Sequence, residues 1–286
     1  MKSSIVALVK RLVPIAVKNR LKVSPFFVRY RSSSVNVYHC TVYRTGSQWM
    51  RRILTDRRVC RYSGQLYEMH FQRIFGTAEH PDQTVTYEVF PYAEPFRKGW
   101  IVSLYASHEN YAHIPKPENH KTFFVFRNPR DIVVSHYFAS RRDAQNLNSP
   151  HYRKLANPED GIPWMIDTLE NMGLFSSLRS WASMPEDDSR LLLLRFEDLT
   201  GPRQFEVFRN LFAYCDIDMP DGVLRELLED HSFRALSGGR RPGEEDVVSH
   251  YRKGIAGDWK NHFTDEHIEK FRAVTNDLAT LTGYER

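Results

Sequence analysis

Cysteine is scarce and unpaired in this sequence: Cys40, Cys60 and Cys215 form an odd set with no C-x-x-C spacing. Neither a disulfide framework nor a structural zinc site is indicated, and a reducing, cytoplasmic setting fits best. His70, His80, His113 and His120 show no metal-ligand spacing, so no metal is expected. A Pro/Gly/Ser-rich linker, a low-complexity tract and an internal repeat are all missing, which favours one domain over two. The P-loop pattern G-x-x-x-x-G-K-[ST] of nucleoside-triphosphate binders is absent as well. The net charge of +5 is modest and evenly spread. It suits an anionic ligand and gives no case for nucleic acid.

What is present suffices for a full core: 286 residues with 41% hydrophobic content allow one large α/β domain. At the start, Ile5, Leu8, Val9, Leu12 and Ile15 can share a helical face, while Lys2, Lys10, Arg11, Lys18, Arg20 and Lys22 supply only positive charge. That pattern fits peripheral membrane contact through residues 1–22, and fits equally a helix packed on the domain's own surface. Lys10, Arg11 and Pro14 interrupt it too early for a bilayer span, and it lacks the unbroken apolar stretch of a secretory signal.

Tyr43-Arg44-Thr45-Gly46-Ser47-Gln48-Trp49 leaves an apolar, β-prone run, Val35 to Val42, and opens a helical pattern of Trp49, Met50, Ile53 and Leu54 with Ser47 as the expected cap. Free N–H groups at a helix start, a glycine that lets an anion approach, and the Arg44 guanidinium are parts of a phosphate-holding loop. Taken alone, they also describe an ordinary strand-to-helix turn. Trp100 to Tyr105 reads as a buried strand followed by a loop with His108, a candidate proton acceptor at a strand's carboxyl end. Lys121 to Phe126 is a second buried strand. Arg127-Asn128-Pro129-Arg130-Asp131 ends it with a helix start in which Asn128 caps, Pro129 takes the first position and Asp131 faces the dipole. Ser135, two turns into that helix, can converge with Arg127 on one anion.

Between Arg57 and Pro95 the many aromatics suggest helices and long loops over a cleft. A helical stretch is expected from about Pro163 to Met184, capped by the Asp160-Gly161 turn. Leu191 to Phe196 reads as another buried strand, Asp198 and Gly201-Pro202 as the start of a helix, and the glycine- and charge-rich Ser237 to Glu245 as mobile.

Together these segments resemble the sulfotransferases that use 3′-phosphoadenosine-5′-phosphosulfate (PAPS). The family's phosphosulfate loop Y-P-K-[ST]-G-[ST]-[TN]-W is similar to Val42 to Trp49, and its R-N-P-[RK]-D-x-x-V-S motif is matched by Arg127 to Ser135. Its R-K-G-x-x-G-D-W-K-x-x-F motif resembles Arg252 to Phe263. The resemblance implies a P-loop-like sulfotransferase fold, α/β with a central parallel sheet flanked by helices, over residues 31–286, with residues 1–30 as an extension. It implies transfer of a sulfuryl group from PAPS, without a metal, to a small-molecule, lipid or carbohydrate hydroxyl or amine.

Site residues follow by the same resemblance. Arg44 stands at the family's catalytic lysine, and Thr45, Gly46, Ser47, Gln48 and Trp49 contact the 5′ side and adenine. Arg127, Ser135, Arg252, Lys253 and Gly254 hold the 3′-phosphate. Phe196 replaces the tyrosine of a Y-E-D turn, and His231, in His231-Ser232-Phe233, replaces the threonine of T-S-F. His108 is the implied base, with Glu88 or Glu94 as alternatives and Ala106 where a lysine is usual. A dimer motif is only partly matched by Lys260, Thr264 and Glu269, so the oligomeric state stays open. Two other classes remain: a PAPS-binding protein without turnover, and a nucleotide kinase with a degenerate P-loop.

Overall fold

The computed structural model describes residues 23–24, 27–70, 94–144, 153–185 and 188–285. The basic segment 1–22 and Glu88 lie outside them. Five strands form one sheet: β1 (Asn36–Thr41), β2 (Leu66–His70), β3 (Trp100–Tyr105), β4 (His120–Phe126) and β5 (Leu191–Arg195), in the order β2-β3-β1-β4-β5. Every neighbouring pair is parallel, with Asn36 level with both Trp100 and His120. A parallel sheet needs cover on both faces. β1 and β4 supply it alternately: Tyr38, Cys40, Phe124 and Phe126 enter one core, Val37, Phe123 and Val125 the other.

The expected α/β architecture with helices on both faces is therefore what is found. Helix α1 (Ser47–Leu54) follows β1 and packs Met50, Ile53 and Leu54 into the second core. The short α2 (Arg57–Arg61) leads to β2, and α3 (His108–Ala112) follows β3. Helix α4 (Pro129–Asp143) follows β4 and packs Ile132, Val133 and Tyr137 into the first core. Since β1 and β4 are adjacent and their helices leave to opposite faces, a crevice opens at their carboxyl ends. Open parallel sheets bind ligands at such a switch point.

Helices α5 (Pro158–Asn171) and α6 (Leu174–Ala182) replace the single stretch expected from Pro163. Asn157 caps α5 by accepting the Asp160 N–H, so Pro158 takes the first position and Pro163 sits inside the helix. Gly161 is a contact residue and not a turn: a methyl there would lie 2.3 Å from the Tyr137 ring, so its absence lets α5 press onto α4. Strand β2 was hidden in the stretch read as loops because Leu66-Tyr67-Glu68-Met69-His70 is a short, half-buried edge with a charge in its middle.

Phe196 opens α7 (Phe196–Thr200) and does not close β5, and the next helix, α8 (Gln204–Tyr214), starts later than Asp198. Then come α9 (Asp221–Asp230), α10 (Phe233–Leu236), a 3-10 turn at Asp258–Asn261, α11 (Asp265–Thr275) and α12 (Leu278–Leu281). Thr264, part of the partial dimer motif, caps α11 through a reciprocal pair with His267. The stretch from Ser237 is tied down, since the Arg240 guanidinium donates to the carbonyls of Glu244, Tyr251 and Arg252.

Candidate active site

The loop after β1 is shaped by its own hydroxyls. Thr45 Oγ1 donates to the Val42 carbonyl at 3.0 Å and pairs with Thr41 Oγ1 at 2.7 Å. Thr45 is thus buried and spent on loop shape. The helix cap is Gly46, at φ +84°, and Ser47 is the first helical residue with no capping bond of its own. This corrects the expected Ser47 cap. Positive φ is one reason for glycine there; the other is that a methyl would lie 2.6 Å from the Phe196 ring. Arg44 also holds positive φ, at 68°, a strained conformation for a non-glycine residue of the sort that clusters at functional sites.

The Arg127 guanidinium reaches this loop from the end of β4, donating to the Arg44 carbonyl at 3.0 Å and lying 4.9 Å from the Phe196 ring centre. Its Nε is buried with no hydrogen-bond partner among the described residues. Burial pulls Arg44 below its ordinary value, helped by Arg142 and Arg127 and opposed by Asp143. The arginine remains charged at any physiological pH. Arg142 is itself paired with Asp143 at 2.7 Å, so the surplus positive charge here comes from Arg44 and Arg127 and suits an anion.

The rest of the expected cofactor residues join by a chain of contacts. Phe196 meets Trp49 edge-on at 6.1 Å, and Trp49 Nε1 donates to the His231 carbonyl at 2.7 Å. Two residues on, Phe233 covers Gly254, where a methyl would lie 2.2 Å from the ring and φ is +67°. Arg252 lies 4.2 Å from the ring centre of Phe138, one turn along α4 from Ser135. Asp131, at the start of α4, accepts from the N–H groups of Gly257 and Trp259 at 2.6 and 2.9 Å. The contacts return through α4 to Arg127, so segments from five parts of the chain close into a ring. Gln48 sits on its exposed side, and Ser135 is half-buried in it.

In the 252–254 turn the cations are already paired. Arg252 bonds Glu245 and Asp258, and Lys253 Nζ is 2.6 Å from Asp258. Burial would raise the Asp258 carboxyl, but hydrogen bonds from His262, Lys253, Asn261 and Arg252 overcome it and hold it far below the ordinary aspartate range. The His231 side chain bonds Asp56, the cap of α2, at 3.0 Å, so its imidazole braces the site from outside.

His108 is not brought to this ring by its side-chain contacts. Its imidazole packs edge-on against Trp181 at 5.1 Å and lines a cavity of about 220 Å³ with Lys116, His120, Arg190 and Leu191. His120 and Leu191 open β4 and β5, so that cavity lies toward the amino ends of the strands, whereas Arg44 and Arg127 follow the carboxyl ends. Glu94 is exposed and precedes the amino end of β3. Residues that sequence reasoning passed over stand beside the Arg44 loop: Tyr105, the last of β3, whose buried hydroxyl bonds with Ser47 and Gln48; Arg142, which acts on Arg44; and His136, 6.4 Å from the Tyr43 ring. Tyr105 could have been flagged as the terminal residue of a central strand. The other two depend on which side of α4 meets the loop.

A profile of the sulfotransferase domain matches residues 36–283. The chain belongs to the sulfotransferase domain family. Flavonol 3-sulfotransferase of Flaveria bidentis is 26% identical over 204 residues, 63% of this chain and 64% of that one. A flavonol sulfotransferase-like protein of the same organism is 23% identical over 279 residues, 89% and 84% of the two chains. The chain thus spans just under two thirds of the length of the first relative. Among solved structures, mouse sulfotransferase SULT7A1 complexed with PAP superposes with a TM-score of 0.57 at 16% identity, covering 91% of this chain and 89% of that one. Retinol dehydratase in complex with retinol and PAP gives 0.55 at 15%, over 94% and 88%. At those identities the likeness is one of fold, and the crevice between β1 and β4 belongs to a sulfotransferase domain.

Proposed function

We propose that this protein transfers the sulfuryl group of PAPS to an acceptor hydroxyl or amine and releases adenosine 3′,5′-bisphosphate (PAP). The observation that carries this reading is the closed ring of contacts joining two cationic pockets, Arg44 with Arg127 and Arg252 with Lys253, across Trp49. A nucleotide with anions at both its 5′ and 3′ positions matches such a pair. The orphaned Arg127 Nε fits it too.

When bound, PAPS supplies an activated sulfuryl group and a leaving group. Arg44 would neutralise charge that grows on the leaving side, an electrostatic contribution largest in a water-poor site. The N–H groups at the start of α1 and the Ser47 hydroxyl would orient the 5′ end, and the Trp49 indole would lie against the base. Ser135, Arg252, Lys253 and the Gly254 N–H would bind the 3′-phosphate, with Arg127 reaching it from its place beside the Arg44 loop.

The departure of His108 from the ring favours one second reading, a protein that binds PAPS without turnover. Calorimetry with PAP against ATP, followed by an acceptor screen with sulfur-labelled PAPS, separates the readings. Micromolar PAP affinity, weak ATP binding and label on an acceptor are the expected results. Binding without label would favour the second reading, and preference for ATP would end the first. Among the described residues no helix is long and apolar enough to cross a membrane. A lipid-presented acceptor, suggested by the basic residues 1–22, is checked by vesicle binding with and without that segment.

A further inference from the structure

We propose that Tyr284 is a positioning residue for the 3′-phosphate site: its hydroxyl holds the Glu197 carboxylate away from Arg127 and so keeps that guanidinium free for the nucleotide. The inference rests on the sulfotransferase reading above. Glu197 follows Phe196, on whose ring Arg127 packs at 4.9 Å. Carboxylates are the usual partners of arginine inside proteins. Here both oxygens of Glu197 are engaged by other donors. Oε1 accepts the Asn128 N–H at 3.1 Å, and Oε2 accepts the Tyr284 hydroxyl at 2.5 Å. Arg127 meanwhile donates to the Arg44 carbonyl and keeps an Nε with no partner among the described residues.

Tyr284 is itself anchored on several sides. Its N–H and that of Glu285 both donate to the Ala279 carbonyl in α12, at 2.7 and 3.1 Å. The Arg195 guanidinium, at the end of β5, stands 5.3 Å from the Tyr284 ring centre. From α4 the buried Arg130 pairs with Glu285 at 2.5 Å and lies 3.9 Å from the Trp259 ring centre. The tyrosine is thus fixed between the end of β5 and the start of α4, beside the turn that Glu197 caps. Burial, and then the Glu197 carboxylate, push its hydroxyl above the ordinary tyrosine value, so it remains a donor at any physiological pH.

Removal of that hydroxyl would leave Oε2 of a half-buried carboxylate short of a donor, which is costly. Arg127, whose charge acts on the same hydroxyl, has the spare N–H to answer it. An incoming 3′-phosphate would then have to displace Glu197 from Arg127, as it must already displace carboxylates from Arg252. A role confined to support of the fold would weaken every nucleotide alike and would not depend on the charge of Glu197.

Calorimetry with PAP and 5′-AMP on the full chain separates the two. Tyr284→Phe should weaken PAP binding about 10-fold, the low end for a hydrogen bond to a charged group, while 5′-AMP affinity stays within about twofold. Adding Glu197→Gln, which keeps an acceptor for Asn128 but removes the charge, should restore PAP affinity to within about threefold of wild type, a coupling that a double-mutant cycle reads directly.

Unchanged PAP affinity in Tyr284→Phe, equal losses for the two nucleotides, or a loss that Glu197→Gln does not restore would overturn the assignment while leaving the sulfotransferase reading intact. Wild-type protein that binds no PAP would sink both. Should Tyr284→Phe not fold, Glu197→Asp takes its place: the shorter side chain cannot meet both donors, so the same selective loss of PAP is expected, and equal affinity for wild type and variant would count against the proposal.

Discussion

The two cationic pockets of this domain are built in opposite ways. Around Arg44 and Arg127 the charges are buried, face one another and are left with an unpartnered Nε on Arg127. Around Arg252 and Lys253 each charge meets a carboxylate, Asp258 within the fold and Glu245 at its surface. The first pocket holds unspent electrostatic attraction, which is what stabilisation of developing charge demands. The second is neutral before ligand arrives, so on the proposed reading it would bind by exchanging one anion for another, which gives selectivity at lower net gain. On the proposed reading, reaction is the task of Arg44 and recognition that of Arg252 and Lys253, with Arg127 between them.

That contrast can be broken most severely at the loop. Arg44→Ala should lower transfer by about 10²- to 10³-fold, the usual loss on removing a preorganised charge donor, with PAP affinity within a few-fold by calorimetry. A large loss of affinity at unchanged rate would reverse the roles of the two pockets. Arg127→Ala comes next and should weaken PAP binding by about 10- to 100-fold, the equivalent of a charged hydrogen bond worth about 1.5–3 kcal/mol. Comparable binding in the variant would remove Arg127 from the site.

The second pocket is sharpened by acid. The Asp258 carboxyl is depressed in the folded protein, so its stabilisation is complete above the ordinary aspartate value of about 3.9 and is lost as pH falls below that toward the folded value. Denaturant titrations at pH 6 and pH 3 should show a fall in stability that is smaller in Asp258→Asn, and equal falls in the two proteins would deny the carboxylate this role. The smallest expected effect is a gain. Glu245→Gln should tighten PAP about 1.5- to 5-fold, the range of a partly exposed ion pair, because the phosphate no longer competes for Arg252. Binding of 5′-AMP, which lacks the 3′-phosphate, should stay unchanged, and an equal gain for both nucleotides would show a nonspecific charge effect.

Much of this could be read from the chain. The start of α4 was legible because Asn128 and Pro129 fix it locally: the asparagine does accept the Arg130 N–H, and the proline does open the helix. The central strands were legible because both faces are buried, leaving unbroken apolar runs such as Phe123 to Phe126. What escaped depends on direction in space. The motif at 252–254 named the cations but not Glu245 and Asp258, which neutralise them through the return of the chain. The position of His108 after β3 was read correctly as lying past a strand's carboxyl end, yet as the first residue of α3 its ring is turned against Trp181, whose indole N–H bonds the Ala106 carbonyl. Conversely, His136 and Arg142 carry no motif, and they matter only because α4 lies against the Tyr43–Arg44 loop. Periodicity fixes which residues share a helix face, but not which loop that face will meet.

The account's central claim is that both pockets clasp one molecule, and a single calorimetric comparison tests it. Wild-type protein should bind PAP about 100-fold more tightly than 5′-AMP, the difference expected for losing charged hydrogen bonds to one phosphate, and Arg252→Ala should remove most of that difference while leaving 5′-AMP affinity unchanged. Equal affinity of the wild type for the two nucleotides, or a preference that survives in Arg252→Ala, would contradict it.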